Sequence, residues 1–173
     1  MRNFARTAVF LIGVLGSILF PAVRPAAGEG VSAPAAEKAR IKIVRTLEEA
    51  LPGPGWPVVL VFFSASCPVC WDDLFEMKTM VEENNFPVKL VGVSADRPED
   101  LETFLRKYSF SDPVVSDRRR EIHRRFQVQA APFKLLLRDN NVLYRDDILQ
   151  NPKTQRERLK RCLLEMTSKL RFF

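Results

Sequence analysis

Two kinds of hydrophobic pattern alternate along this chain, and together they predict its secondary structure. A continuous apolar run rich in β-branched residues predicts a strand buried on both faces at 58–63. Mostly apolar runs predict two further strands, at 88–93 and 133–137. Apolar residues spaced three and four apart predict amphipathic helices between the strands. These helices are expected at 41–51, 68–83, 98–108, 117–126 and 159–170. Shorter extended pieces are expected at 113–115 and at 142–144, the latter pairing with 133–137 as a hairpin.

The first buried strand leads directly into two cysteines. After Val58–Phe63 the chain reads Ser64-Ala65-Ser66-Cys67-Pro68-Val69-Cys70. Pro68 suits the first position of a helix, because its missing N–H leaves no hydrogen bond unmade there. Cys67 then caps the helix one turn before Cys70, and the unpaired N–H groups of the first turn favour a thiolate. The spacing allows a disulfide between the two cysteines and predicts redox chemistry.

Other uses of a Cys-x-x-Cys pair fit this sequence less well. A zinc site needs two further ligands, and outside the pair the chain offers only Cys162 and His123. Covalent haem attachment needs a histidine after the second cysteine, where Trp71 stands. A structural disulfide stays open, although a bridge over so short a loop removes little entropy from the unfolded chain. We expect no metal, no cofactor beyond the disulfide, and a core position for Cys162.

The first 28 residues have the composition of an export signal. Arg2 and Arg6 precede an uncharged apolar stretch at 8–20, and small residues follow as far as Gly28. The apolar stretch is short for a membrane span, which favours cleavage, while a membrane anchor through 8–23 is the alternative. We expect a leader at 1–28, a linker at 29–36, a folded domain at 37–173 and a periplasmic or other extracytoplasmic location.

The charge of the chain says little about its partners. The net charge is +6, and three of the positive charges belong to the first 28 residues. The remainder is too small to favour nucleic acid as a partner. The densest basic cluster has five arginines between positions 118 and 125. We interpret it as a solvated helix face that includes His123, with docking of an acidic partner as the alternative.

These segments together resemble the thioredoxin fold, and more narrowly the exported thiol-disulfide oxidoreductases of the TlpA/ResA type. The resemblance covers roughly 41–170 and is carried by 62–70, 89–93, 113–117 and 128–137. It implies an α/β fold, namely a thioredoxin-like three-layer sandwich with a central mixed sheet, helices on both faces and an inserted helix after the second core strand. The segment 95–117, which plain thioredoxin lacks, favours the TlpA/ResA branch.

The resemblance also implies roles for the residues around the two cysteines. Cys67 matches the exposed nucleophile, and Cys70 matches the buried resolving thiol. Pro132 matches the cis-proline opposite the cysteines, where a bent backbone at Ala131 pairs with an extended substrate segment. The remaining expected substrate-binding residues are Ser66, Pro68 and Val69.

Asp73 is the third expected catalytic residue. It stands where TlpA/ResA-like proteins often have a glutamate that assists proton transfer. One helical turn after Cys70, it would act as the general base that takes the proton of that thiol. The competing interpretation is electrostatic, because an acid early in a helix is favoured by the helix dipole in any case. Plain thioredoxin carries its acid on the preceding strand, where this chain has Val61.

The function implied by the resemblance is dithiol exchange with exported proteins. Substrates would be disulfides of exported proteins or apocytochrome c thiols, with a membrane thiol protein as electron donor. Whether the pair reduces or oxidises stays open, since the Pro68-Val69 dipeptide influences the redox poise. Two alternatives are a thiol peroxidase of peroxiredoxin type, suggested by Ser64, and a Cu(I) carrier in which Met77 and Met80 assist the thiolates.

Overall fold

The computed structural model describes residues 42–139 and 141–170. The expected leader at 1–28 and linker at 29–36 lie outside these residues, so the domain boundaries stay predictions. The strands are β1 Ile43–Val44, β2 Val58–Phe62, β3 Lys89–Ser94, β4 Val114–Ser116, β5 Phe133–Arg138 and β6 Asn141–Arg145. The helices are α1 Leu47–Ala50, α2 Pro68–Glu83, α3 Pro98–Lys107, α4 Glu121–Arg125 and α5 Pro152–Leu170.

The six strands of the described residues form one sheet in the order β1-β4-β3-β2-β5-β6. The first four strands of that order run parallel, whereas β5 pairs antiparallel with β2 and β6 pairs antiparallel with β5. The strand β2 is buried along its whole length, as its continuous apolar run predicts. Because the parallel strands all end at one edge of the sheet, the segments that follow them meet there, together with the start of β5. We call this the carboxyl edge.

Alternate residues of β2 face two separate hydrophobic cores. Val59 and Val61 pack on one side of the sheet, in a core that contains residues of α2, α3 and α5. Leu60 and Phe62 pack on the other side, in a core to which α1 and the end of α4 contribute. Helices therefore cover both faces, and α3 follows β3 as the inserted helix. The predicted three-layer α/β arrangement is confirmed.

The helix predicted for 41–51 is wrong in its first half. Ile43 and Val44 form the edge strand β1, which pairs with β4, and only Leu47–Ala50 is helical. Both strand residues are β-branched and fit an open sheet edge, so pairing with β4 overrides the helical spacing of the sequence. The short helix begins where the side chain of Thr46 caps it.

The helix predicted for 117–126 is shorter than expected. The helix begins after Arg120, whose backbone is left-handed with a φ of 55°, and spans Glu121–Arg125. Asp117 nevertheless acts as a cap, because its carboxylate accepts hydrogen bonds from the first backbone amides of that helix. His123 is only 8% exposed, so its predicted place on the solvated face is wrong. Its ring lies against Phe62 and the Asp117 carboxylate instead.

The C-terminal helix has the predicted apolar face but begins earlier than expected, at Pro152, and Cys162 is less buried than the expected core position. Leu159 and Leu163 are buried in the core under the sheet, and Cys162 is half-buried at its margin. Burial raises the pKa of the Cys162 thiol, with the nearby Glu165 as a smaller cause. Across 42–139 and 141–170, no helix combines the length and the apolar character that a bilayer crossing requires.

Candidate active site

The two cysteines form a disulfide at the start of α2, as the sequence predicts. Their Cα atoms lie 5.3 Å apart. Cys67 caps the helix and Pro68 occupies its first turn, while the Cys70 amide points at the Cys67 sulfur, 3.3 Å away. Cys70 is completely buried, but Cys67 is only half-buried and its neighbours Pro68 and Val69 are exposed. Cys67 is therefore the residue of the pair that an incoming group can reach.

The peptide bond between Ala131 and Pro132 is cis. It precedes β5, whose first residue Phe133 is paired with Phe62 at the end of β2. The register brings Pro132 to the carboxyl edge beside the loop that carries Cys67. Ala131 is exposed and Pro132 half-buried, so the structure brings the predicted substrate-binding residues to one accessible surface.

A carboxylate that sequence reasoning missed holds the loop in front of the cysteines. Asp96 follows β3 at the carboxyl edge, and its Oδ2 accepts hydrogen bonds from the Ala65 amide at 2.5 Å and the Ser94 hydroxyl at 2.9 Å. Its Oδ1 accepts from the Ser64 hydroxyl at 3.1 Å. The Ser64 carbonyl in turn accepts from the Cys67 amide at 3.1 Å. Asp96 thus positions the segment from which Cys67 extends.

Trp71 also contacts this loop, through its indole nitrogen. Its indole Nε1 lies 3.2 Å from the Ser64 carbonyl oxygen and 3.0 Å from that of Ala65. The ring packs between α2 and α3, with centroids 5.6 Å from Phe104 and 5.4 Å from Tyr108. The inserted helix α3 is therefore part of the support of the disulfide, because its aromatic residues fix the tryptophan.

Asp73 is buried one helical turn after Cys70, in a group of paired charges. Its Oδ2 lies 2.6 Å from the ammonium of Lys134, and its Oδ1 lies 3.1 Å from the guanidinium of Arg156. Lys134 is fully buried and also lies 3.0 Å from Asp146. A charged group in the protein interior needs such partners, because an unpaired one costs several kcal/mol, on the order of 3–5.

The second acid of this group is coupled to a tyrosine. The Asp146 carboxyl lies 2.8 Å from the Tyr144 hydroxyl, which is also 2.9 Å from the carbonyl oxygen of Gln155 on α5. Burial raises the pKa of Asp146, and the ion pair with Lys134 only partly opposes this shift. Burial also raises the pKa of Tyr144, with Asp146 as the next cause.

The sequence reading did not find Lys134, Asp146 or Arg156. Lys134 interrupts the apolar run of β5, two residues after Pro132, and that interruption was the available signal. Arg156 and Asp146 come from distant positions on α5 and after β6, and no spacing rule connects them to α2. Val61, where plain thioredoxin has an acid, is buried in the apolar core.

The residues described here offer little for a metal. No cluster of three or more metal-binding His, Cys, Asp or Glu side chains occurs among them. Met77, expected to assist a Cu(I) site, is fully buried in the core, and Met80 packs against that core. Both methionines are part of the packing of α2, so a copper ion at the two thiols would have to be bound without them.

Solved structures share this fold at low sequence identity. The chain is similar to StoA from Bacillus subtilis, with a TM-score of 0.52 and 21% identity over 64% of this chain and 84% of that one. It is similar to a secreted Mycobacterium tuberculosis disulfide oxidoreductase homologous to E. coli DsbE, with a TM-score of 0.50 and 19% identity over 65% and 83%. It is also similar to an uncharacterized thioredoxin-like protein from Porphyromonas gingivalis, with a TM-score of 0.56 and 18% identity over 73% of this chain and 93% of that one. No curated protein matches the chain.

Fold and site together define a protein of thioredoxin-like fold, with a disulfide at the start of a helix and a cis-proline beside it. The family model described as AhpC/TSA matches residues 31–152, which is most of the chain. This protein belongs to the AhpC/TSA family.

The role of Asp96 can be tested by removing its carboxylate. Asp96→Ala leaves the Ala65 amide and two hydroxyls without their acceptor, so we expect the free energy of unfolding to fall by about 1–3 kcal/mol. We also expect slower disulfide exchange, because Cys67 is less well positioned. Chemical denaturation and an exchange assay measure the two effects. Asp100→Ala, which removes an exposed partner of Arg97, is the control, and an equal effect of both variants would contradict the assignment.

The raised pKa of Asp146 predicts a pH dependence of stability. The folded state holds the Asp146 proton more tightly than the unfolded chain, so this contribution to stability is complete below the ordinary aspartate pKa and is lost as pH rises through the folded value. Asp146→Asn keeps a neutral group at this position. Its stability relative to the natural protein should therefore increase from pH 4 to neutral pH. A difference that is constant over this range in denaturation experiments would refute the shift.

Proposed function

We propose that this protein is a thiol-disulfide oxidoreductase that exchanges electrons with disulfides or thiols of exported proteins through Cys67 and Cys70. The observation that carries the proposal is the unequal burial of the two cysteines, since Cys67 is partly exposed and Cys70 is fully buried. An accessible sulfur at a helix start can attack a substrate, while a buried partner one turn away can release it. The exposed Ala131 beside them offers backbone for an extended substrate segment.

The exchange proceeds in two displacements. In the reduced protein, the Cys67 thiolate attacks one sulfur of the substrate disulfide, and the other substrate sulfur leaves as a thiolate that takes a proton from solvent. Cys70 then loses its proton, and its thiolate attacks the Cys67 sulfur of the mixed disulfide. The second substrate sulfur leaves, and the Cys67–Cys70 disulfide remains. Two electrons have passed to the substrate, and an external thiol donor restores the reduced pair. The same steps in reverse oxidise a dithiol.

We assign to Asp73 the role of the general base that takes the proton of the Cys70 thiol. The carboxylate lies one helical turn beyond the thiol and is buried with it, out of competition with bulk water. Lys134 and Arg156 match its negative charge, and each carboxylate oxygen retains a second lone pair beyond the contact that it makes with them. Lys134 is also close to Asp146, so the charge of Asp73 is balanced within a larger group.

The proposal includes an extracytoplasmic location for the protein, with substrates and an electron donor in the same compartment. The basic, apolar and small segments of residues 1–28 support export, and one of the structurally similar proteins is a secreted disulfide oxidoreductase. The TlpA/ResA-like features support apocytochrome c or other exported thiol proteins as substrates and a membrane thiol protein as electron donor.

A thiol peroxidase is the second candidate, and membership of the AhpC/TSA family favours it. In that case Cys67 would reduce a peroxide, leaving a sulfenic acid that Cys70 resolves to the disulfide with release of water. Ser64 lies near the cysteines, but its hydroxyl contacts Asp96 and Ser66. Consumption of hydrogen peroxide faster than reduction of a protein disulfide would select the peroxidase.

The exchange mechanism is tested by single cysteine variants. We expect both Cys67→Ser and Cys70→Ser to abolish catalytic reduction of insulin, because each displacement needs its own sulfur. Only Cys70→Ser should accumulate a mixed disulfide with substrate, which mass spectrometry detects. Cys162→Ser serves as the control and should retain full activity. The mechanism fails if the natural protein reduces insulin no faster than either active-site variant.

The assignment of Asp73 is tested at the second displacement. Asp73→Asn should slow the decay of the mixed disulfide by about 10²-fold, the usual contribution of a general base, while attack by Cys67 is unchanged. Rapid-quench experiments separate the two steps. Asp73→Glu restores a carboxylate and should recover much of the rate and of its pH dependence. Equal decay in the Asn variant and the natural protein, each shown to be folded, would exclude Asp73 as the base.

A further inference from the structure

A loop rich in arginine lies at the same edge of the sheet as the disulfide. Arg118–Arg120 follow β4, and we call them the arginine loop. Ser116 of β4 is in register with Ser94 of β3, and Val93 is in register with Phe62 of β2. Both loops therefore leave the sheet at nearly the same level. Since only β3 separates β4 from β2, and strands lie about 4.8 Å apart, the arginine loop begins roughly 10 Å from the loop that carries Cys67.

The backbone of the arginine loop is fixed by buried groups. Asp117 is only 6% exposed, and its carboxylate accepts hydrogen bonds from the amides of Glu121 at 2.8 Å and His123 at 3.0 Å. The His123 ring nitrogen lies 2.7 Å from the same carboxylate, and its ring packs edge-on against Phe62 at 4.9 Å. The amide of Arg120 donates to the Asp117 carbonyl at 2.8 Å. Because the backbone of this loop is already held, binding does not require it to be ordered, and the entropic cost is confined to the arginine side chains.

The arginines of this loop are exposed and lack ion pairs within the described part of the chain. Some other surface arginines are paired: Arg97 contacts Asp100, and Arg106 contacts Glu102. The acids closest to the loop in sequence are Asp117, which is committed to its own hydrogen bonds, and Glu121, which is exposed. Three unpaired guanidinium groups beside a reactive centre are free to bind an external carboxylate.

A cleft next to the loop extends the same surface. It has a volume of about 560 Å³, and its apolar side is lined by Ile43, Val44 and Pro98. Its charged lining consists of Arg45, Arg118, Arg119, Asp117 and Glu121. The arginines outnumber the acids, and Asp117 is buried, so Glu121 is the one exposed acid of this lining. Arg45 follows β1 and therefore also lies at the carboxyl edge. The surface thus combines apolar contact area with cationic groups, on the side of the disulfide away from Pro132.

We propose that the arginine loop docks acidic residues of the substrate protein and so selects which disulfides reach Cys67. This inference rests on the proposed thiol-disulfide exchange and names the class of protein that it serves. An extended chain advances about 3.3 Å per residue, so a distance of roughly 10 Å corresponds to about three residues. The favoured substrate carries Asp or Glu three to five residues from its reactive cysteine, on one side only. Opposite charges also steer the encounter, which makes the preference sensitive to salt.

The test uses peptides that carry one cysteine in a mixed disulfide with 2-mercaptoethanol, an uncharged leaving group. Three glutamates, three glutamines or three lysines occupy the third to fifth positions on either side of the cysteine. We expect the reduced protein to attack the best glutamate peptide with a kcat/KM about tenfold above that of the glutamine peptide at low ionic strength. The lysine peptide should be slower than both. The preference should hold for one side of the cysteine and should decline at high ionic strength.

Two variants with the same change in charge locate the effect. Arg118→Glu, Arg119→Glu and Arg120→Glu together should reverse the preference. The matched control, which combines Lys42→Glu, Lys89→Glu and Lys107→Glu, changes residues at the opposite end of the parallel strands and should leave the preference intact. Thermal unfolding confirms that each variant is folded, and the three arginines changed to glutamine provide a milder version that should abolish the preference.

The outcomes separate this inference from the proposed function. If the natural protein exchanges with the glutamine peptide but shows no preference for glutamate, the docking role of the arginine loop is refuted. The thiol-disulfide activity is then still supported. The inference also fails if the control variant loses the preference equally, because net charge then explains it. No exchange with any peptide, while peroxide is consumed, overturns the proposed function itself.

Discussion

The pairing of β2 on both sides is the constraint on which the rest of this structure depends. The strand is parallel to β3 and antiparallel to β5, and every one of its residues is buried. Its register therefore cannot slip without moving apolar side chains to the wrong face of the sheet. This fixes where the chain leaves the sheet, so that the loop carrying Cys67 lies between the start of β5, which follows Pro132, and Asp96, which follows β3. The helix dipole and the unpaired amides of the first turn then act on a sulfur whose position is already set.

A group of buried, paired charges connects the helix of the disulfide, α2, with β5, α5 and the segment after β6. Lys134 stands in an otherwise apolar strand, and its ammonium would be strongly destabilising without Asp73 on α2 and Asp146 after β6. Arg156 adds α5 to the same group, so α2, β5, α5 and the segment after β6 are joined by these charges. Apolar residues at these positions would give comparable stability. The charged group is more sensitive to substitution, because the loss of one member leaves the others buried without a partner. In the proposed mechanism the group supplies a carboxylate for the buried thiol, which no apolar packing can do.

Much of the fold and half of the site could be predicted from the sequence. The strands buried on both faces, the helix that begins at Pro68 and the disulfide were predictable, because each follows from local spacing and from the conformational limits of proline. The edge strand β1 was not, since its two residues become a strand only through β4. Asp96, Lys134 and Arg156 were missed for a related reason. Their partners lie tens of residues away, and only the sheet order brings them together.

The reduction potential of the Cys67–Cys70 pair tests the central claim most directly. Structural disulfides resist cellular thiols and have potentials below about −300 mV, whereas exchanging pairs lie above that value. We predict a reversible two-electron titration between roughly −120 and −270 mV in thiol buffers, measured with Cys162→Ser so that only this pair responds. A disulfide that stays oxidised below −300 mV, in folded protein, would contradict the account and mark the bridge as structural.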